Sequence, residues 1–210
     1  MRRAPASRWT RVLYRLLGKP VPLVFRESAL AHKYLDQFRG IEIGGSAHNP
    51  FGLDTINVDY TSDMNTSFKI LEHNFCGERL KVDVVAMGDV LPFADKSVDF
   101  VLSSHVIEHF ADPIAALQEW QRVATRYLYV IFPNRDRTPD NSPPLTTLQE
   151  LVNRHEGREK VSDDPDVHKS VWILPNFMEL MAYLRFNVVE TQDPDDKVGN
   201  GTAVVIKCEQ

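Results

Sequence analysis

Asp99-Phe100-Val101-Leu102-Ser103-Ser104-His105-Val106-Ile107-Glu108-His109 opens as a strand and closes on a carboxylate beside an imidazole. An apolar run without alternation belongs to a strand covered on both faces. The chain carries five runs of this kind, this one included, at Gly40–Gly44, Thr55–Asp59, Asp83–Met87, Val98–Ser103 and Tyr127–Phe132, separated by helical stretches. Strands alternating with helices predict an α/β fold with a Rossmann-like, doubly wound, mostly parallel sheet. In such a sheet ligands bind outside the carboxyl ends of the strands. Glu108 and His109 fall there.

The elements around this stretch follow from local chemistry. Asp112-Pro113 is an N-cap followed by proline at the first helical position, and the helix it starts presents Ile114, Leu117, Trp120 and Val123 on one face. Glu27 to Phe38 reads as a helix before the first strand. Asn176 to Leu184 reads as another, followed by Asn187–Thr191 and Thr202–Lys207. These two strands have no helix between them, so they are antiparallel neighbours. Residues 133–175 form an insertion rich in prolines and charges, with a short helix signalled by the capping box Thr147-Leu148-Gln149-Glu150 and closed by Gly157 after His155. A polar insertion at the carboxyl edge of a parallel sheet suits a lid or substrate platform.

The 210 residues fit a single domain, 1–210, with ordinary composition: 43% hydrophobic and 25% charged. Two cysteines, Cys76 and Cys208, make neither a disulfide framework nor a zinc spacing and fit a reducing, cytoplasmic setting. No run reaches transmembrane length. The net charge of −5 hides an asymmetry. Within the N-terminal segment 1–38, the first 19 residues carry Arg2, Arg3, Arg8, Arg11, Arg15 and Lys19 and no acid, so the rest is strongly acidic, which excludes nucleic acid as the main partner. Trp9, Val12, Leu13, Leu16 and Leu17 recur at helical spacing. That helix packs on the domain or on a second copy in a homodimer, or makes peripheral contact with an anionic membrane.

Three successive strand ends offer groups suited to one adenosine ligand. Glu42-Ile43-Gly44-Gly45 ends in a glycine turn that lets backbone approach a ligand. Asp59 ends the second strand, where an acid accepts hydrogen bonds from a ribose diol. After the third strand, Asp89 can take an exocyclic amine while the Val90 N–H donates to a ring nitrogen. Gly-x-Gly-x-x-Gly is absent and no phosphate-cradling basic residue follows, which argues against a dinucleotide.

Asp89-x-Leu-Pro-Phe-x-Asp-x-Ser-x-Asp99, followed by Ser-Ser-His-x-x-Glu-His-x-x-Asp-Pro113, resembles the class I S-adenosylmethionine-dependent methyltransferases, over roughly Arg39 to Phe132. The resemblance implies S-adenosylmethionine as cofactor. It sets Glu42 near the methionine portion, Gly44 and Gly45 beneath it, Asp59 on the ribose, Asp89 and Val90 on adenine, and Ser104 on the methionine amine through its carbonyl. Ser46 stands where the family pattern has its second glycine.

His-x-x-Glu-His resembles the Glu-x-x-Glu-His of magnesium-dependent members, with His105 in place of the first glutamate. By that resemblance Glu108, His109 and a histidine from the insertion, His168, would hold Mg2+. His109 as a metal-free base is the alternative, and capping of the following helix by Glu108 and His109 is the structural one. His168 on its own also reads as a surface loop histidine. His155 suits the helix dipole. Asn134 to Asp140 suits a polyhydroxylated acceptor or a solvated loop, and Trp172 suits a sugar platform or the core. The insertion with His168-x-x-Val171-Trp172 looks like bacterial methyltransferases of glycan assembly, which implies a sugar or oligosaccharide hydroxyl as acceptor. A quinone or other small-molecule O- or N-methyltransferase, and a non-catalytic cofactor-binding module, are the other readings.

Overall fold

The computed structural model describes residues 27–209 apart from 48, 50 and 139–141, and the Trp9–Leu17 helix expected in the basic segment lies outside the described residues. One seven-stranded sheet runs through the molecule. Its strands are β1 (Arg39–Ile43), β2 (Asp54–Asp59), β3 (Val84–Val85), β4 (Val98–Ser104), β5 (Ala124–Pro133), β6 (Asn187–Gln192) and β7 (Gly201–Lys207). The order is β3-β2-β1-β4-β5-β7-β6. β1 to β5 are parallel, and β7 runs antiparallel to both β5 and β6. The doubly wound, mostly parallel sheet with an antiparallel end is the predicted one.

Helices cover both faces. α1 (Ala29–Leu35) lies on one, where Leu30, Ala31 and Leu35 pack with Phe51, Phe100, Leu102, Tyr129 and Ile131. Its N-cap Ser28 is fully buried; the hydroxyl accepts from the Ala31 N–H and bonds Tyr129 Oη at 2.9 Å, pinning the helix start to β5. The opposite face carries α3 (Pro113–Val123), α4 (Leu148–His155) and α5 (Leu174–Tyr183). α2 (Ser67–Cys76) connects β2 to β3. The four predicted core positions of α3, Ile114, Leu117, Trp120 and Val123, are all fully buried, and Asp112 Oδ1 accepts from the Ala115 N–H at 2.9 Å as its cap.

Several boundaries differ from expectation: α1 is shorter at both ends than Glu27–Phe38, α5 begins two residues before Asn176, and two strands shift as well. β3 pairs over two residues rather than five: it is an edge strand, and Asp83 gives its N–H to Asn57 O and its carboxylate to the Asn57 N–H as the ladder begins. β5 starts three residues early, because α3 passes into it at Ala124 without a loop. The capping box at Thr147 and Glu150 forms as predicted. Among the described residues no helix is long and apolar enough to cross a membrane.

Candidate functional site

The register brings the carboxyl ends of four strands to one edge. Ile43 pairs with Val58 on one side and Ser103 on the other, and Asp59 pairs with Val85. Glu42, the Gly44–Gly45 turn, Asp59, the Gly88–Val90 loop and Ser104 therefore share this edge.

The glycine turn is shaped by contact. Gly44 has φ +66°, and a Cβ there would lie 2.7 Å from Val106 Cγ2. Gly45 leaves no room either: a Cβ would lie 2.5 Å from Asn57 Oδ1 and 3.1 Å from Glu42 Cδ. Glu42 is buried, and burial pushes its carboxyl up to about 8, against the opposing pull of Lys197. Asn49 Nδ2 donates to Ser104 Oγ at 2.8 Å, while Asn49 Oδ1 and Asn57 Oδ1 are buried without a hydrogen bond. Unsatisfied buried acceptors around a turn that excludes side chains suit a ligand that brings donors, as an amino-acid ammonium and a ribose do. The residues fit the methionine and ribose portions of S-adenosylmethionine.

The Gly88–Leu91 loop is braced by α3. Trp120 Nε1 donates to Gly88 O at 2.7 Å, and Glu119 Oε1 accepts from the Leu91 N–H at 2.7 Å. Asp89 is half-buried and the Val90 side chain is exposed. The Val90 N–H, expected to donate to a ring nitrogen, is given to Met87 O at 3.1 Å.

Beyond β4 the chain reverses at His105, a non-glycine residue with φ +55°. This left-handed conformation is uncommon for such a residue and turns the backbone over the sheet edge. A 3-10 turn, Ile107–His109, follows and carries the carboxylate and imidazole inward. The insertion closes over them. The Lys169 and Ser170 N–H groups donate to Glu108 O at 2.7 and 3.2 Å, and Lys169 Nζ donates to His109 O at 2.7 Å. Arg154 of α4 holds that segment through Lys169 O at 2.8 Å.

Glu108, His109 and His168 are thereby gathered, with one donor atom from each within 4.8 Å of the others. Glu108 Oε1 lies 3.8 Å from His109 Nε2 and 3.9 Å from His168 Nε2. The two imidazoles meet edge to face at 4.7 Å between centroids, and Phe68 abuts His109 at 5.5 Å. Glu108 is 1% exposed, and its Oε2 has no hydrogen-bond partner. Burial pushes its carboxyl up to about 8 and the His109 imidazolium down to about 4; burial also lowers His168. Near neutrality the cluster is an uncharged acid facing uncharged imidazoles, so it is not an ion pair. One carboxylate and two imidazoles at this spacing fit a divalent cation, and a donor set with two nitrogens suits Mn2+, Fe2+ or Zn2+ better than Mg2+.

These shifts set a pH dependence of stability. Glu42 and Glu108 keep their protons in the folded state after the unfolded chain has lost them. Their contribution is full below about 4.5 and is lost as pH rises through about 8. His109 and His168 act with the opposite sign and only below about 6.5, and Lys197, lowered to about 8 by burial, acts mainly above that. Between pH 6.5 and 8 the carboxyls dominate, so unfolding free energy falls there by on the order of 2 kcal/mol per carboxyl. Urea unfolding of the metal-free protein, in EDTA, at the two pH values checks this; Glu42→Gln/Glu108→Gln flattens the dependence.

Other sequence candidates do not join the site. His105 is outside the cluster. Trp172 is fully buried against Phe132 and Phe177, so it is core and offers no sugar platform. Arg137 pairs with Asp193, and Arg135 lies 3.0 Å from Asp136 Oδ1. His155 Nδ1 lies 2.8 Å from Asp112 Oδ2, at the start of α3. Of the acids beside His168, Asp166 accepts from Ser67 Oγ at 2.8 Å and Asp164 accepts from the Asp166 N–H at 2.9 Å. Sequence reasoning missed Asn49, Asn57 and Phe68. Their only signal is position just after, within or beyond a strand, which becomes specific once the register is known.

Comparison with known proteins follows the same lines. The family model described as a methyltransferase domain matches residues 44–131. A crystal structure of a SAM-dependent methyltransferase from Aquifex aeolicus is similar over 84% of this chain and 85% of its own, with 14% identity and a TM-score of 0.51. The PH0226 protein of Pyrococcus horikoshii is similar over 97% and 92%, with 20% identity and a TM-score of 0.51. The fold is that of the SAM-dependent methyltransferases. No curated protein matches the chain in sequence.

Proposed function

We propose that this chain is an S-adenosylmethionine-dependent O-methyltransferase whose acceptor is a hydroxyl of a sugar or oligosaccharide. The observation that carries the reading is the Glu108–His109–His168 cluster, placed at the end of β4 on the same sheet edge as the Gly44–Gly45 turn and Asp59. The bound cofactor supplies an electrophilic methyl group on a sulfonium. The protein's tasks are to align the attacking oxygen and to take its proton.

Glu42, Gly44, Gly45, Asp59, Asp89, Val90 and Ser104 are proposed to hold the cofactor. Glu108, His109 and His168 would hold a divalent cation, Mg2+ included, which lowers the pKa of an acceptor hydroxyl. In the metal-free alternative the neutral His109 imidazole accepts the hydroxyl proton directly, and burial, which lowers it to about 4, makes it a weak base for that step. A quinone or other small-molecule acceptor uses the same groups. Exposed Phe68, against His109, offers apolar ring surface beside the polar cluster, which suits the mixed faces of a sugar.

The test is a screen of sugars, short mannosides among them, against labelled cofactor, with EDTA and with Mg2+, Mn2+, Co2+ or Zn2+ restored. Methylated sugar is the expected product. Loss of turnover in EDTA with rescue by a metal supports the cation, and turnover unchanged in EDTA assigns the proton to His109. Methylation of quinones but no sugar overturns the acceptor class.

A further inference from the structure

The helix α2 is built inside out. A surface helix ordinarily buries its apolar residues and exposes its charges. Here Lys69 is 3% and Glu72 1% exposed, while Phe68, Ile70 and Leu71 are 39%, 45% and 48% exposed. The two charges stand one turn apart and pair at 2.9 Å. Their remaining bonds go to the cofactor-side turn and to the strand entry behind it. Glu72 Oε1 accepts from the Ala47 N–H and the Leu80 N–H. Lys69 Nζ donates to Leu80 O at 2.8 Å and Gly45 O at 3.4 Å. Asn57 Nδ2 also donates to Gly45 O, at 3.3 Å, and to Lys81 O at 2.9 Å. Gly45 and Ala47, on either side of Ser46, are thus each fastened from below.

Resting on the cofactor reading above, we infer that the buried Lys69–Glu72 pair is a positioning device for the Gly44–Ala47 turn, setting the backbone on which S-adenosylmethionine lies. A glycine at 46 as well would let this turn find its shape at the moment of binding. With Ser46 in the middle, the backbone has fewer conformations, and the pair selects one before the cofactor arrives. Glu72 anchors the Ala47 amide. Lys69 neutralises Glu72 and holds the Gly45 carbonyl away from the ligand side. Neither residue touches the reacting atoms. Such preorganisation acts on affinity by removing an ordering cost from binding.

The experiment uses the full chain. Lys69→Met/Glu72→Met removes the pair without stranding one charge in the interior. Lys69→Met/Glu72→Gln keeps one acceptor oxygen for the Ala47 and Leu80 amides. Leu35→Ala, in the core beneath α1, is the control for a general loss of stability. S-adenosylhomocysteine binding is measured by calorimetry, and exchange of the Ala47 amide is followed by NMR in the ligand-free protein. The double methionine variant is expected to bind at least about tenfold more weakly, with faster exchange at Ala47. The glutamine variant is expected to recover most of both, and Leu35→Ala to change neither. Unchanged affinity or unchanged Ala47 exchange in the double methionine variant, or an equal loss in Leu35→Ala, overturns the inference. Wild-type protein that binds no S-adenosylhomocysteine overturns the cofactor reading and this inference with it.

Discussion

Replacing Glu108 and His109 together with alanine is expected to lower methyl transfer by about 10²–10⁴-fold while S-adenosylhomocysteine still binds. The two residues sit beyond β4 on a 3-10 turn, whereas the proposed cofactor groups lie at the ends of β1, β2 and β4 and on the loops after β1 and β3. Removal empties the acceptor side alone. Glu108 is buried with an unpartnered Oε2, so its loss frees no hydrogen-bonded partner of that atom. Calorimetry of cofactor binding and turnover on the best acceptor from the sugar screen provide the two readings. Loss of both would mean that the turn has collapsed, and Glu108→Gln, nearly isosteric, then tests the carboxyl alone. Undiminished turnover in the double variant would move the acceptor chemistry elsewhere. A wild-type protein that binds cofactor but methylates no sugar, quinone or amine in a broad screen would favour the binding-module reading.

Trp172→Ala is expected to destabilise the protein by about 3–5 kcal/mol. The indole is fully buried, 5.8 Å from the Phe132 ring of β5 and 5.4 Å from the Phe177 ring of α5. Its carbonyl accepts from the Arg135 N–H at 2.9 Å, and Asn134 bridges to it in parallel. This residue ties the insertion to the core four positions after His168, so part of its effect reaches the cluster. The indole Nε1 has no hydrogen-bond partner, so Trp172→Phe loses packing but no bond and is expected to cost less. Urea unfolding measures both. A sugar-stacking tryptophan would behave in the opposite way, with stability unchanged and acceptor KM raised.

Much of the fold was legible because each strand announces itself. β1, β4 and β5 have near-continuous buried centres, Ile41–Ile43, Phe100–Ser104 and Leu128–Pro133, because the sheet is covered on both faces there, while β2, nearer the edge, leaves Ile56 exposed. The Asp112-Pro113 cap and the Thr147–Glu150 box are local devices whose partners lie within one turn, so sequence spacing suffices to read them. The antiparallel end was legible for a topological reason: two strands without a crossover helix cannot be parallel neighbours. β3 was over-read because ladder length depends on tertiary pairing: at the sheet edge β3 has one neighbour, the six-residue β2, and leaves it after two residues.

The sequence by itself determined the order of elements and the residue types that reach the carboxyl edge. Glu42, Asp59, Asp89, Glu108 and His109 follow from strand ends, and strand ends follow from composition. Tertiary structure alone decided which distant groups meet. His168 is 59 residues from His109 along the chain, and only the bonds from Lys169 and Ser170 back to Glu108 and His109 bring the imidazoles edge to face. The burial of Lys69 and Glu72 is a sharper case, because local rules point the other way. A Lys–Glu pair one turn apart on a helix with Phe68, Ile70 and Leu71 reads as a solvated face. Polar backbone groups of the Gly45–Ala47 turn and of Leu80, brought beneath the helix by the crossover, make burial of the charges the better solution. Periodicity reports how a helix partitions between oil and water, and it carries no record of unpaired amides and carbonyls waiting elsewhere in the chain.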